Sequence, residues 1–206
     1  MHHADASLVP PEIVNSKPEF WNHVRTQLEH LLADQRNWVT NLANASSLIY
    51  NSLGAFPLRW DNAPVNWCGF YLVSSLFPTP RVTEGTSSNE RTIPRDENKL
   101  LLGPFCGKPA CQFINVAPER ARGVCADAFV QQQTILVENV HDYPGHIACD
   151  GGTKSEIVCP LILQDGSDQI VVGVLDLDCL ALSGFDEEDK IGLESIADLI
   201  VKSCNW

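Results

Sequence analysis

The sequence has no apolar run near the ~18 residues that a membrane-spanning helix needs, which excludes a helical membrane span. It is poor in positive charge, with 14 Lys and Arg against 26 Asp and Glu for a formal net charge of −12. A chain so acidic lacks the basic face that neutralises phosphates, so a nucleic-acid partner is excluded. It contains no G-x-G-x-x-G, no P-loop, no H-E-x-x-H and no G-x-S-x-G, which leaves nucleotide-cofactor chemistry and serine hydrolysis unsupported. Eight cysteines are present but no C-x2-C pair, the commonest spacing of a structural zinc site. The opening twenty residues hold no Arg and no basic start followed by an apolar stretch, so neither a secretory signal nor a transit peptide is read there. The expected compartment is the cytosol, where thiols stay reduced and a static disulfide framework is not expected.

What is present is an ordinary globular composition: 206 residues, 44% apolar and 19% charged, enough for one domain with its own core. Residues 1–15 are polar, Pro-bearing and terminal, and read as a disordered or loosely packed tail. Ser16, Pro18 and Glu19 then write a helix start with a capping box, followed by Phe20, Val24, Leu28 and Leu31 at helical spacing. A second helix carries Trp38, Leu42, Ala45, Leu48 and Ile49. Residues 67–73, WCGFYLV, are aromatic and β-branched and predict a strand. Residues 77–98 are rich in Pro, Ser, Thr and charge without periodicity, and read as a long surface-loop insertion. Strands follow at 99–105 and 110–116, a short helix from Arg122 to Val130, a short strand at 135–137 and a loop over 138–155. The strongest strand signals are 156–163 and 170–178, joined as a hairpin through QDGSDQ. Asp186 caps a last helix with the apolar stripe Leu193, Ile196, Ala197, Ile200 and Val201. Hairpins dominate this order, so the expectation is a single α+β domain over 16–206, its mostly antiparallel sheet flanked by N- and C-terminal helices.

The chemistry gathers around a few residues. Cys149 stands in HIACDGG, three residues after His146 and just before Asp150 and Gly151–Gly152. Backbone N–H groups of the glycines, ahead of a helical turn at 153–155, would stabilise a thiolate, whereas a nearby Asp150 would oppose it. The alternative is a buried structural thiol. Cys111 is placed in a strand, and Cys125 at a helix start where the macrodipole lowers a thiol pKa. Either, taken alone, is also compatible with a small core side chain. Cys68, Cys159, Cys179 and Cys204 fit periodic patterns as core residues, and Cys106 stays undecided. A zinc set from Cys106, Cys111, His146 and Cys149 is disfavoured by the missing C-x2-C. Asp176 and Asp178 share one face of a strand, opposite Leu175 and Leu177, and with Glu156 suit a cationic ligand group or a protonated acid; a solvated polar face is the equal alternative. Trp67 and Tyr71 share a face of their strand and could wall a pocket or simply pack.

The stretches NWCGFYL (66–72), LLLGPFCGKPACQFI (100–114), RGVCADA (122–128), VENVHDYPGHIACDGGTKSEIVCPL (137–161) and GVLDLD (173–178), in this order, resemble the free methionine-(R)-sulfoxide reductases, a family built on a GAF domain. The resemblance spans residues 18–204 apart from the insertion. It implies thiol-dependent reduction of free L-methionine (R)-sulfoxide, with Cys149 as the nucleophile, Cys111 as the main resolving cysteine and Cys125 as a third redox cysteine. It further implies Glu156, Asp176 and Asp178 as ligand-binding carboxylates and Trp67 and Tyr71 as an aromatic box. Thioredoxin would be the electron donor, with no metal and no organic cofactor. A homodimer through terminal helices is left open by fold analogy. The competing reading is a non-catalytic GAF domain that senses a small ligand.

Overall fold

The structure is a computed structural model that describes residues 9–10, 14–56, 64–79, 81–83, 90–92, 95–147 and 150–206. Two helices open it, α1 (Lys17–Leu32) and α2 (Trp38–Ala55). Ser16 caps α1 as its sequence demands, its hydroxyl accepting from the Glu19 N–H. The Glu19 carboxylate reaches one residue further out, to the Asn15 N–H at 2.8 Å, so the cap closes around the preceding residue. The buried stripe of α1 runs Phe20, Trp21, Val24, Leu28 and Leu32, one residue beyond the expected Leu31. Asn37 caps α2.

The sheet consists of β1 (Val65–Val73), β4 (Lys99–Gly107), β5 (Phe113–Asn115), β6 (Ile135–Val137), β7 (Ser155–Asp165) and β8 (Asp168–Cys179), with a separate hairpin of β2 (Arg81–Thr83) and β3 (Glu90–Thr92). The strand order is β5-β4-β1-β8-β7-β6, and every pairing is antiparallel. Gly166 takes φ +62° in the two-residue β7–β8 turn, the left-handed position that such a loop requires. Helices α3 (Val124–Gln131) and α4 (Glu187–Ser203) complete the chain. Asp186 caps α4 with a full capping box, and its five-residue apolar stripe is buried as read from the sequence.

Strand alternation splits the core in two. Cys68, Phe70, Leu72, Leu175 and Leu177 face α1, α2 and α4. Trp67, Tyr71, Val158 and Val174 face the other way, under α3 and the connecting loops. An α+β domain with an antiparallel sheet is therefore what the residues build.

Four local expectations are corrected. The insertion is not wholly loop, since β2 and β3 pair within it. Val9 and Val14 of the expected loose tail are buried in the helix-side core; the remaining residues up to 13, apart from Pro10, lie outside the described ones. Cys111 sits in the connection before β5 rather than in a strand, and residues 153–155 form no helical turn because Ser155 already opens β7.

Candidate active site

The site is laid out by register. On adjacent strands Trp67 lies opposite Asp178, and Asp178 opposite Glu156. The next row on the same face joins Gly69, Asp176 and Val158. Side chains two apart share a face of a strand, so two carboxyls of β8, one of β7 and the aromatics of β1 all rise from one side of the sheet. Over them α3 brings Cys125 and the 143–147 connection brings His146. Together Trp67, Tyr71, Cys125, His146, Glu156, Asp176 and Asp178 line a cleft of about 490 Å³ counted to its open mouth.

One wall is aromatic. Trp67 stacks on Tyr71 at 5.9 Å and on Phe105 at 5.5 Å between ring centroids, with interplanar angles of 22° and 16°. Gly69 makes this possible, because a Cβ there would come within 2.6 Å of the Trp67 ring and 2.3 Å of the Phe105 Cβ. The indole Nε1 is buried without a hydrogen-bond partner. Tyr71 sends its hydroxyl to the Cys111 carbonyl at 3.0 Å.

The opposite side is acidic. Glu156 and Asp176 are only 5% and 6% exposed. Burial first, then the charge of Asp178 on Glu156 and the charges of Glu156 and Asp178 on Asp176, pushes both carboxyls well above the ordinary carboxylate range. Asp178 is raised to about 7 by burial, moderated by His146. Protons therefore remain in this cluster near neutral pH. The Cys125 thiol donates to Asp176 Oδ2 at 3.3 Å and lies 3.9 Å from Glu156 Oε1. Burial and these two acids push the thiol up, which reverses the expectation that its helix start would lower it; eight residues of helix dipole do not outweigh lost hydration and two carboxyls. Asp176 Oδ1 is buried with no partner. His146 Nε2 stands 3.3 Å from Glu156 Oε2, and burial pulls its pKa down, which favours the neutral ring.

Ala148 and Cys149 lie outside the described residues, whereas Asp150, which follows, is described. Asp150 is held by a knot of donors: Lys108 Nζ at 2.9 Å, Asn66 Nδ2 at 3.2 Å and the Gly152 N–H at 3.1 Å. The Lys108 hydrogen bond and the Gly152 N–H hold its carboxylate below the ordinary range. The Gly152 N–H is thus directed to Asp150 and is not available as the thiolate donor expected from the sequence. Cys111 is disulfide-bonded, whereas Cys68, Cys106, Cys125, Cys159, Cys179 and Cys204 are free thiols. Of the zinc set weighed from the sequence, Cys106 is free, Cys111 is disulfide-bonded and His146 turns to Glu156. A different trio, Cys125, Glu156 and Asp176, has donor atoms within 4.8 Å of one another and could hold a cation.

Sequence reasoning passed over Gly69, Phe105 and, as a cleft residue, His146. A glycine between two aromatics of a strand was the signal for the first. Nothing local marks Phe105, whose role comes from cross-strand pairing.

A model of the GAF domain matches residues 58–203. The chain is 42% identical to the free methionine-R-sulfoxide reductase of Saccharomyces cerevisiae over 98% of its own length and 94% of the relative's. It is 33% identical to the enzyme of the same name from Escherichia coli, over 91% and 90%. The structure of free methionine-R-sulfoxide reductase from Neisseria meningitidis in complex with its substrate superposes with a TM-score of 0.71 at 32% identity, covering 92% of this chain and 91% of that one. The chain belongs to the GAF domain family. Within it, the chain belongs with the free methionine-R-sulfoxide reductases, which it matches over nearly its whole length.

Proposed function

We propose that the protein reduces free L-methionine (R)-sulfoxide to L-methionine, with Cys149 as nucleophile and Cys111 as the thiol that resolves it. The observation that carries this reading is one cleft lined by a stacked Trp67–Tyr71 pair and by three carboxyls, two of them buried, with Tyr71 also tied to the carbonyl of disulfide-bonded Cys111. A free amino-acid sulfoxide carries a methyl group for the aromatic wall and an ammonium for the carboxylates. The orphaned Asp176 Oδ1 is a ready acceptor for that ammonium, and the Trp67 N–H a ready donor.

The Cys149 thiolate attacks the sulfoxide sulfur. A protonated carboxyl of the Glu156–Asp176 pair gives its proton to the oxygen as the S–O bond weakens. The protonated oxygen then passes from the substrate sulfur to the Cys149 sulfur as the bond between the two sulfurs breaks; methionine leaves with the electron pair of that bond, and Cys149 becomes a sulfenic acid. The Cys111 sulfur then attacks the sulfenic sulfur and water departs. The resulting disulfide is reduced by two electrons from the thioredoxin dithiol through a mixed disulfide. Cys125, protonated and enclosed by acids, serves as part of the cleft's polar floor in this scheme and not as a ready nucleophile. No metal enters the steps.

The experiment is direct. Protein, dithiothreitol and each epimer of free methionine sulfoxide are incubated separately, and methionine is quantified. Turnover of the (R) epimer alone is expected; turnover of neither would leave the ligand-sensing reading in its place.

A further inference from the structure

We propose that Cys68 and Cys106 are a second redox pair, which closes into a disulfide behind the aromatic wall of the cleft. The two residues are direct register partners across β1 and β4. Directly opposed residues of antiparallel strands have their side chains on one face and their Cα atoms about 4.5–5.5 Å apart. A disulfide accepts Cα separations of about 4.4–6.8 Å, so the bond needs no repositioning of either strand. Both thiols are free, and neither lines the cleft.

Their environments differ in a way that orders the chemistry. Cys68 is fully buried among Phe70, Leu72 and the helices, and burial with Cys106 and Asp176 nearby pushes its thiol up. Cys106 is only partly buried, near the end of β4. A soluble disulfide such as oxidised glutathione reaches Cys106 and not Cys68. The Cys106 thiolate attacks one glutathione sulfur and expels the other as a thiol. Cys68 then attacks the Cys106 sulfur, gives up its proton, and releases the second glutathione. Two protein thiols are oxidised to one disulfide while one glutathione disulfide is reduced to two thiols, so electrons balance.

The position gives the bond a consequence for the cleft. Cys68 follows Trp67, Cys106 follows Phe105, and Trp67 stacks on Phe105 and is in register with Gly107. The ladder between β1 and β4 shifts register between Gly69 and Tyr71, immediately beyond. A bond between Cys68 and Cys106 would fasten the regular side of that irregularity, at the root of the connection that carries Cys111.

The test uses the whole protein. It is fully reduced, equilibrated with graded ratios of oxidised to reduced glutathione, quenched in acid, unfolded, alkylated and mapped by mass spectrometry. The expected product is a peptide holding Cys68 joined to one holding Cys106, lighter by two hydrogens, lost in Cys106→Ser and again in Cys68→Ala. Retained reductase activity of Cys106→Ser under dithiothreitol shows that this variant is folded, so that absence of the cross-link in it is informative. Glutathione on Cys106 beside an alkylated Cys68, or alkylation of both at the most oxidising ratio, would overturn the proposal.

Discussion

The Tyr71 hydroxyl donates a 3.0 Å hydrogen bond to the backbone carbonyl of Cys111. One ring therefore does two jobs: its face stacks with Trp67 in the cleft wall, and its polar end fixes the connection that carries the proposed resolving cysteine. Tyr71→Phe keeps the ring and deletes the tether. The expected outcome is a loss of about 1 kcal/mol in denaturant unfolding, with single-turnover methionine release kept and disulfide closure slowed. Stopped-flow intrinsic fluorescence beside methionine quantification separates the two; equal closure rates in both proteins would dismiss the tether.

The carboxyl cluster gives a pH dependence with a definite sign. A carboxyl whose folded pKa is raised contributes stability that is fully present below its unfolded value and is lost as pH rises through the folded value. For Asp178 that window runs from its ordinary 3.8 up to about 7. Stability should fall across it, and Asp178→Asn should flatten the fall, as read from unfolding midpoints at matched pH values. Single-turnover chemistry should lose rate on the alkaline side, where the proton donor of the Glu156–Asp176 pair ionises.

Asp176→Asn tests the orphaned oxygen. It keeps the shape of the side chain but removes the acid, and with it the ability to turn anionic beside a bound ammonium. A hydrogen bond to a charged group contributes roughly 1.5–3 kcal/mol, which converts to a KM raised roughly 10- to 150-fold. The variant should at the same time be more stable above pH 7, since a buried acid that resists ionisation has been removed. A KM unchanged by the substitution would place the substrate ammonium elsewhere.

Lys108 and Asp150 join the connections on either side of the proposed disulfide. Breaking the pair with Lys108→Ala should slow formation of the disulfide without changing the amount of methionine released in one turnover. Because this lysine is largely exposed, added salt should reduce the difference between variant and parent. A difference that persists in molar salt would mean the contact acts through something other than charge.

Much of this was readable from local pattern. The caps at Ser16 and Asp186, the α4 stripe and the β7–β8 hairpin are all signals carried within a few residues. Asp176 and Asp178 against Leu175 and Leu177 gave the split between the two faces directly, because strand alternation has a fixed period. The rest depends on partners distant in the chain. Whether Asp150 served or opposed a thiolate was set by Lys108 and Asn66, 42 and 84 residues away. The upward push on Cys125 comes first from burial and then from acids on β7 and β8, so its position at a helix start misled. The pairing within residues 81–92 escaped because three-residue strands in a Ser- and Thr-rich stretch carry too little periodicity to stand out.

The most direct measurement is a single turnover. Fully reduced protein is mixed with free L-methionine (R)-sulfoxide in the absence of any external reductant, quenched and digested. The account predicts methionine in equal amount to protein and a disulfide joining the Cys149 and Cys111 peptides, with neither product in Cys149→Ser. Methionine formed by Cys149→Ser, or the same yield from the (S) epimer, would contradict it.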